Sequence, residues 1–122
     1  MPLENLVSLK TELRKSGEES VLVIHFSGKI TADNVLDLNQ KIRSIFSDKI
    51  YRVVLNISEL EYMNSSGITL FLTIAKTIDQ NKGKLVLTKP TPFVKDLFEM
   101  TDLISRFTIA EDLESACKLA QS

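Results

Sequence analysis

The stretch Glu61-Tyr62-Met63-Asn64-Ser65-Ser66-Gly67-Ile68 separates two apolar segments of different periodicity. Before it, Val53-Val54-Leu55-Asn56-Ile57 is rich in β-branched residues and predicts a buried strand. After it, apolar residues at spacings of three and four predict an amphipathic helix over 68–78. Two adjacent hydroxyls, on Ser65 and Ser66, therefore lie where a strand ends and a helix begins. A hydroxyl at such a position can cap the helix or carry a phosphate.

The apolar patterns on either side of this stretch predict an α/β fold. Alternating or continuous apolar runs predict strands at 6–13, 21–26, 51–57 and 84–87, with a polar turn at 15–20 and a fifth short strand within 104–109. Apolar stripes predict helices after Thr31, at 68–78, after Thr91 and at 110–120. Strands that alternate with helices after a hairpin indicate a mostly parallel four- to five-stranded sheet with an antiparallel N-terminal edge strand, packed against about four helices.

The ends of these elements carry their own signals. Thr31 is predicted to cap the first helix, with Asp33 in its first turn, and 58–63 is predicted to connect the third strand to the second helix. Gly83 is expected to take the left-handed conformation that closes the second helix. Thr91 is predicted to cap the third helix, since a proline follows it at the first helical position.

The remaining unusual side chains are expected to be structural. Phe93, Phe98 and Met100 are expected in the core rather than in a cofactor pocket, and Cys117 is expected to be a small core residue. His25, the only histidine, lies in an apolar strand and is expected to be structural rather than a base. One histidine, one cysteine and four scattered glycines indicate neither a metal site nor a phosphate-binding loop, so no catalytic residue, metal or cofactor is predicted.

The bulk composition predicts a soluble, cytoplasmic, single domain over 1–122. A chain of 122 residues with 43% hydrophobic and 25% charged residues is typical of one globular domain. The net charge of −1 gives no electrostatic reason to expect nucleic acid as a partner. The single cysteine excludes an internal disulfide and fits a reducing compartment. The apolar runs are too short to span a bilayer, and no secretory signal begins the chain.

The residues around the opening stretch resemble the STAS domain family, and within it the bacterial anti-sigma factor antagonists. The resemblance rests on a strand Val-Val-Leu-Asn-Ile-Ser, a short connector and Tyr62-Met63-Asn64-Ser65-Ser66-Gly67-Ile68. It extends to Phe26-Ser27-Gly28-Lys29-Ile30, to Lys82-Gly83-Lys84-Leu85 and to the third helix at 93–101. It covers nearly the whole chain, and it implies a STAS-type domain that works by protein–protein contact without catalytic activity.

The resemblance also implies a switch controlled by serine phosphorylation. In this family the serine after the motif's acidic residue is phosphorylated by a partner that is both an anti-sigma factor and a serine kinase with a histidine-kinase-like ATPase fold. The unphosphorylated antagonist binds that partner and so releases a sigma factor, and a PP2C-type phosphatase reverses the modification. By position Ser65 matches the phosphoacceptor, with Ser66 as the second choice. The expected partner-binding residues are Lys29, Thr31, Asp33, Asn64, Ser65, Ser66, Gly67 and Thr69.

Two positions depart from the family pattern. Asn64 and Thr31 each stand where the family usually has an aspartate. Both residues are competent caps, so the expected fold is unaffected, but both remove an acid that the family associates with partner contact. Three interpretations of 64–67 follow: a helix cap without further chemistry, a phosphorylated antagonist, or part of a STAS-like subunit that is never phosphorylated. Such subunits occur in lipid-transporting ABC complexes and in large stress-sensing assemblies.

Overall fold

The computed structural model describes residues 7–16 and 19–122. Within them, strands and helices alternate in the predicted order: β1 Val7–Ser16, β2 Glu19–Ile30, α1 Val35–Phe46, β3 Arg52–Met63, α2 Ser65–Gln80, β4 Lys84–Thr88, α3 Pro92–Met100, β5 Thr108–Ala110 and α4 Leu113–Gln121. A short 3-10 helix, Ile104–Arg106, precedes β5. Leu6, predicted to start the first strand, and Gly17 and Glu18, predicted in the turn, lie outside the described residues.

The five strands form one mixed sheet in the order β1-β2-β3-β4-β5. β1 pairs antiparallel with β2 through a hairpin in which Ser16 lies opposite Glu19. β2 to β5 pair in parallel, because each connection between them crosses over through a helix. This arrangement confirms the predicted α/β fold with an antiparallel edge strand.

Helices cover both faces of the sheet. The larger core joins α1, α2 and α3 to one face of the sheet, where β2 and β3 contribute Leu22, Ile24, Phe26, Val53, Leu55 and Ile57. The smaller core joins α4 to the other face through Val21, Val23, Val54, Val86, Ala110, Ala116, Cys117 and Ala120. Alternate residues of one strand thus serve opposite cores, which explains why the central strands read as continuous apolar runs. Among the described residues, no helix combines the length and the apolar character needed to cross a membrane.

β3 is longer than the sequence indicated. The segment 58–63, predicted to be a connector, is the second half of this strand. It pairs with the equally long β2, so that Tyr62 lies opposite Lys29 and Met63 opposite Ile30. Pairing with β2 satisfies backbone groups along one edge of 58–63. The mixed polar and apolar side chains of this segment gave no sign of a strand. Only one residue then separates β3 from α2.

The first helix begins at Val35 rather than directly after Thr31. The hydroxyl of Thr31 accepts a hydrogen bond from the Asp33 N–H (3.2 Å). The carbonyl of Thr31 accepts from Asn34 N–H (3.3 Å) and Val35 N–H (3.0 Å). Thr31 therefore opens a turn that precedes the helix, and Asp33 lies in that turn rather than in the first turn of α1.

The end of α2 also differs from the prediction. Lys82, with φ 56°, takes the left-handed conformation that Gly83 was expected to take. Gly83 is required for a different reason. A Cβ at this position would lie 2.6 Å from the Cβ of Tyr51 and would collide with the Tyr51 carbonyl oxygen. The glycine thus permits a close approach between two chain segments.

The core predictions are correct for Phe98 and Cys117 but wrong for two residues of α3. Phe98 is 0% exposed, and Cys117, on α4, is buried in the smaller core against the sheet. Phe93 is 49% exposed and Met100 is 83% exposed, because the inward stripe of α3 consists of Val94 and Phe98. The Thr91 side chain accepts from Val94 N–H (3.5 Å), which confirms the predicted cap.

One further boundary and two burial patterns differ from what the sequence indicated. The last strand is confined to Thr108–Ala110, since the 3-10 helix occupies the start of the predicted segment. In α2 the apolar spacing predicts a buried stripe of Ile68, Phe71, Leu72, Ala75 and Ile78. Phe71 and Ile78 are buried, together with Leu70 and Ile74, whereas Ile68, Leu72 and Ala75 are only partly buried. The alternation of apolar and polar residues in β1 predicts Leu13 on the same side as Val7 and Leu9, but Leu13 is 47% exposed.

Candidate functional site

The junction between β3 and α2 is built around the side chain of Asn64. Asn64 has extended backbone angles (φ −100°, ψ −167°), and its Oδ1 accepts a hydrogen bond from Ser66 N–H (2.9 Å). Its carbonyl accepts from Gly67 N–H (3.0 Å) and Ile68 N–H (3.2 Å). One residue therefore satisfies three of the amides at the start of the helix. Ser65 follows as the first helical residue.

Gly67 lets the first turn of α2 lie against the sheet. A Cβ at Gly67 would come within 2.7 Å of the Met63 Cβ and 3.3 Å of the Ile30 Cγ2. Gly67 is buried, unlike the serines beside it. Neighbouring side chains occupy the space where a side chain at position 67 would lie. Gly67 was predicted to bind a partner, but its burial does not fit direct contact with one.

The loop before α1 is joined to this junction by the backbone of Ile30. Asn64 N–H donates to the Ile30 carbonyl (3.3 Å). Lys29 and Thr31 flank Ile30 in sequence, so both predicted contact segments meet at this residue. β2 and β3 are parallel neighbours, so their carboxyl ends lie at the same edge of the sheet.

A groove of about 270 Å³ separates the N-terminal halves of α1 and α2. Ser66 and Thr69, two predicted contact residues, line it from α2. The α1 side contributes residues that the sequence interpretation did not include, namely Val35, Leu36 and Asn39. Leu36 is 68% exposed. Leu36 could have been identified from the sequence, because it is an apolar residue that lies outside the buried stripe of α1.

The predicted site residues differ in their exposure. Ser65 is exposed, whereas Ser66 is half-buried against the groove. Lys29, Asp33 and Thr69 are exposed, and Thr31 and Asn64 are half-buried. Exposure thus distinguishes the two serines in a way that their adjacent positions in the sequence could not.

An exposed aromatic pair lies beside the junction. The rings of Tyr62 and Phe93 have centroids 5.2 Å apart and are tilted by 36°. Tyr62 is 37% exposed and lies opposite Lys29 in the sheet. Neither aromatic residue was among the predicted contact residues, and the sequence placed Phe93 in the core.

His25 belongs to a polar network on the face of the sheet that carries α4. Its Nε2 lies 3.0 Å from Glu12 Oε1, and its Nδ1 lies 2.9 Å from Asn56 Nδ2. Asn56 Oδ1 accepts from the Thr88 hydroxyl (3.0 Å). The hydrogen bond to His25, and secondly that to Arg14, lower the pKa of the Glu12 carboxyl. The interactions of His25 fit the predicted structural role.

Other parts of the described chain offer less for chemistry. A cavity of about 580 Å³ lies between α2 and the edge of β5, and neither Ser65 nor Ser66 lines it. Over 7–16 and 19–122, no three histidine, cysteine, aspartate or glutamate residues gather in a way that could hold a metal ion.

Comparison with known proteins gives concordant results for family and fold. The family model for STAS domains matches residues 12–116. BtrV of Bordetella bronchiseptica, named as an anti-sigma factor antagonist, is 30% identical over 98 residues, which cover 80% of this chain and 84% of BtrV.

Two solved structures show the same fold at low sequence identity. An anti-sigma factor antagonist from Mycobacterium paratuberculosis superposes with a TM-score of 0.78 at 20% identity, over 94% of this chain and 96% of that one. The Bacillus cell fate determinant SpoIIAA, in its phosphorylated form, superposes with a TM-score of 0.65 at 23% identity, over 90% and 99% of the two chains. With a family match over most of its length and a relative at 30% identity, the chain belongs to the STAS domain family, among the anti-sigma factor antagonists.

Proposed function

We propose that this protein binds an anti-sigma factor and that phosphorylation of Ser65 weakens the binding. The observation that carries the proposal is the exposure of Ser65 as the first residue of α2, beside the half-buried Ser66. A kinase needs access to the hydroxyl, and Ser65 offers more of it than Ser66. The phosphorylated form of SpoIIAA, which has the same fold, supports a modification of this kind.

A phosphate on Ser65 is compatible with the folded domain. It adds about −1.5 to −2 charges at neutral pH together with three acceptor oxygens. The start of a helix favours a nearby anion by roughly 0.3–1 kcal/mol at an exposed site. Asn64 caps α2 with an amide, so no carboxylate at this position repels the phosphate. The modification therefore changes the surface without unfolding α2.

The effect falls on the partner. An unpaired dianion inside a desolvated interface costs several kcal/mol. Each 1.4 kcal/mol changes the dissociation constant about tenfold, so a tight complex becomes weak. The proposed contact surface comprises the loop at 29–33, the start of α2 and the groove against α1 that Leu36 lines.

The partner in this proposal is an anti-sigma factor that is also a serine kinase with a histidine-kinase-like ATPase fold. A PP2C-type phosphatase would return the protein to its binding form. We expect the kinase, the phosphatase and the released sigma factor all to act in the cytoplasm. The protein itself acts by binding and needs no catalytic residue, metal or cofactor of its own.

Mass spectrometry of the protein purified from its native cells tests the modification. We expect phosphate on Ser65, its loss in Ser65→Ala and its persistence in the matched control Ser66→Ala. Phosphate on Ser66 alone would contradict the assignment. The absence of phosphate under every growth condition would favour the alternative, a constitutive STAS subunit of a transporter or a stress-sensing complex.

Calorimetry with the kinase-type ATPase recovered from the same cells tests the switch. Ser65→Asp is expected to weaken binding at least about tenfold, because a charge enters the interface. Circular dichroism should show an unchanged fold. The matched control is Ser105→Asp, which adds the same charge at an exposed serine of the 3-10 helix outside the proposed contact surface and should change binding less than about threefold. Undiminished affinity of Ser65→Asp would contradict the switch and leave the family assignment intact.

A further inference from the structure

Asn34 is one of two buried polar residues among those that the structure describes. It is 4% exposed, and the other such residue is Thr88. A buried carboxamide is tolerated only when its groups are hydrogen-bonded. Asn34 directly precedes α1, but its side chain makes no capping hydrogen bond to that helix. Its carboxamide must therefore serve another purpose.

Both groups of this carboxamide bind the backbone that precedes it, at the end of β2 and in the turn after it. Asn34 Oδ1 accepts from Thr31 N–H (2.9 Å), and Asn34 Nδ2 donates to the Lys29 carbonyl (2.9 Å). The two bonds enclose Ile30, the residue between Lys29 and Thr31. A single side chain thus fixes the backbone on both sides of Ile30.

Ile30 in turn contacts the start of α2 in two ways. Its carbonyl accepts from Asn64 N–H (3.3 Å), and its Cγ2 lies where it would be 3.3 Å from a Cβ on Gly67. The Ile30 side chain is completely buried, so it has little space in which to move. Because of these contacts, we expect a shift of the backbone at Ile30, the last residue of β2, to reach the turn that carries Ser65.

We propose that Asn34 is a positioning residue, which holds the segment 29–33, made of the end of β2 and the turn after it, and the start of α2 in one fixed arrangement through Ile30. It touches no partner itself. It sets how Lys29, Thr31 and Asp33 are presented relative to Ser65. Its significance for binding rests on the proposed function, whereas the mechanical coupling does not.

Amide hydrogen exchange in the full-length protein tests the coupling without any partner or phosphate. In Asn34→Ala we expect protection factors to fall about tenfold at the hydrogen-bonded amides of Asn64, Ser66, Gly67 and Ile68. The comparison amides are Ser115 and Ala116, which lie at the equivalent position of α4 on the other face of the sheet and should keep their protection. Asn81→Ala is the matched control variant, since Asn81 Nδ2 also donates to a backbone carbonyl, at the far end of α2 (2.7 Å).

Asn34→Asp supplies a rescue. At neutral pH its carboxylate can accept from Thr31 N–H but cannot donate to the Lys29 carbonyl, so protection at the start of α2 should fall. Once the carboxyl is protonated it can donate again. The ratio of its protection factors to those of the wild type at the same pH should then return toward one, whereas the Ala variant shows no recovery. If Asn34→Ala fails to fold, this titration carries the test by itself.

Unchanged protection at the start of α2 in both variants would overturn the proposal, and so would an equal loss at Ser115 and Ala116, which would indicate only general destabilisation. A lack of phosphate on Ser65 in native cells, with the exchange result as expected, would remove the proposed function and leave the positioning role of Asn34 in place.

Discussion

Asn34 and Asn64 occupy the same kind of position but use their side chains in opposite directions. Each directly precedes a helix that follows a long parallel strand. Asn64 Oδ1 points forward and accepts from Ser66 N–H, the amide two residues ahead. Asn34 Oδ1 and Nδ2 point backward and bind the backbone at Thr31 and Lys29. Residue type and sequence context are therefore insufficient to assign the role of either side chain.

The backbone explains the difference. Asn64 is extended, which is the geometry that brings an N-cap oxygen within reach of the first helical amides. Asn34 already has near-helical angles (φ −116°, ψ −7°), so its side chain leaves from the wrong direction. The turn opened by Thr31 supplies the acceptor for the Val35 amide instead. Because the Thr31 carbonyl caps α1 in this way, the carboxamide of Asn34 is available to bind the backbone at Lys29 and Thr31.

Filling the space at Gly67 should have the largest effect on this pair of junctions. Gly67→Ala places a methyl group 2.7 Å from the Met63 Cβ, and we expect a loss of about 1–2 kcal/mol in the free energy of unfolding, as overpacking outweighs the better helix propensity of alanine. Urea unfolding measures it. Ser65→Ala, at an exposed position of the same turn, is the control and should change stability by less than about 0.5 kcal/mol. If Gly67→Ala were as stable as the wild type, α2 would not be packed tightly against Ile30 and Met63 at this position.

Removing the forward-pointing cap should have a smaller effect. Asn64→Ala leaves the Ser66 amide without its acceptor, and we expect a loss of about 1 kcal/mol, the usual value for an N-cap. Asn64→Asp keeps the acceptor and places a negative charge at the positive end of α2, so it should be at least as stable as the wild type. Thermal or urea unfolding of the three proteins checks this order. If Asp destabilised as much as Ala, the hydrogen bond to Ser66 would not be what holds the start of the helix.

The start of α4 provides a third helix cap, and this cap depends on pH. Asp112 Oδ1 accepts from Ser115 N–H (2.8 Å) and caps α4. This backbone hydrogen bond, followed by one from the Ser115 side chain, lowers the pKa of the Asp112 carboxyl. Because the pKa is lower in the folded state, the contribution of the cap is present above the ordinary carboxyl pKa and is lost as the pH falls through the folded value.

We therefore expect acid to reduce the protection of the Ser115 amide against exchange before that of the Ser66 amide, whose acceptor is the amide oxygen of Asn64 and does not titrate. Hydrogen exchange over a series of acidic pH values measures both amides in one sample. Asp112→Asn is the control, and its Ser115 amide should show the flat response. Parallel losses at both helix starts in the wild type would contradict a role for the Asp112 charge.

Much of the fold followed from local pattern. Spacings of three and four located the helices, and continuous apolar runs such as Val21-Leu22-Val23-Ile24 located the central strands. The Thr91-Pro92 pair correctly predicted the start of α3. These signals are readable because each depends on residues within a few positions of one another.

The errors share a different origin. The segment 58–63 is a strand because β2 provides a partner for it, and Phe93 is exposed because Val94 and Phe98 already fill the inward side of α3. Gly83 is required by Tyr51, which is distant in sequence. Each of these outcomes depends on a neighbour that only the folded chain supplies.

For the candidate site, the sequence by itself determined that two serines follow a buried strand near the start of a helix, within a capping stretch at 64–67, because strand period, helix period and capping chemistry are all local. The tertiary structure decided that Ser65 is exposed and Ser66 half-buried, that α1 contributes a wall with Leu36, and that Asn34 fixes the adjacent loop. Exposure and hydrogen-bond direction are set by which surfaces meet when α1 and α2 pack on one face of the sheet. This packing brings together residues that are distant along the chain, so their contacts cannot be predicted from local sequence patterns.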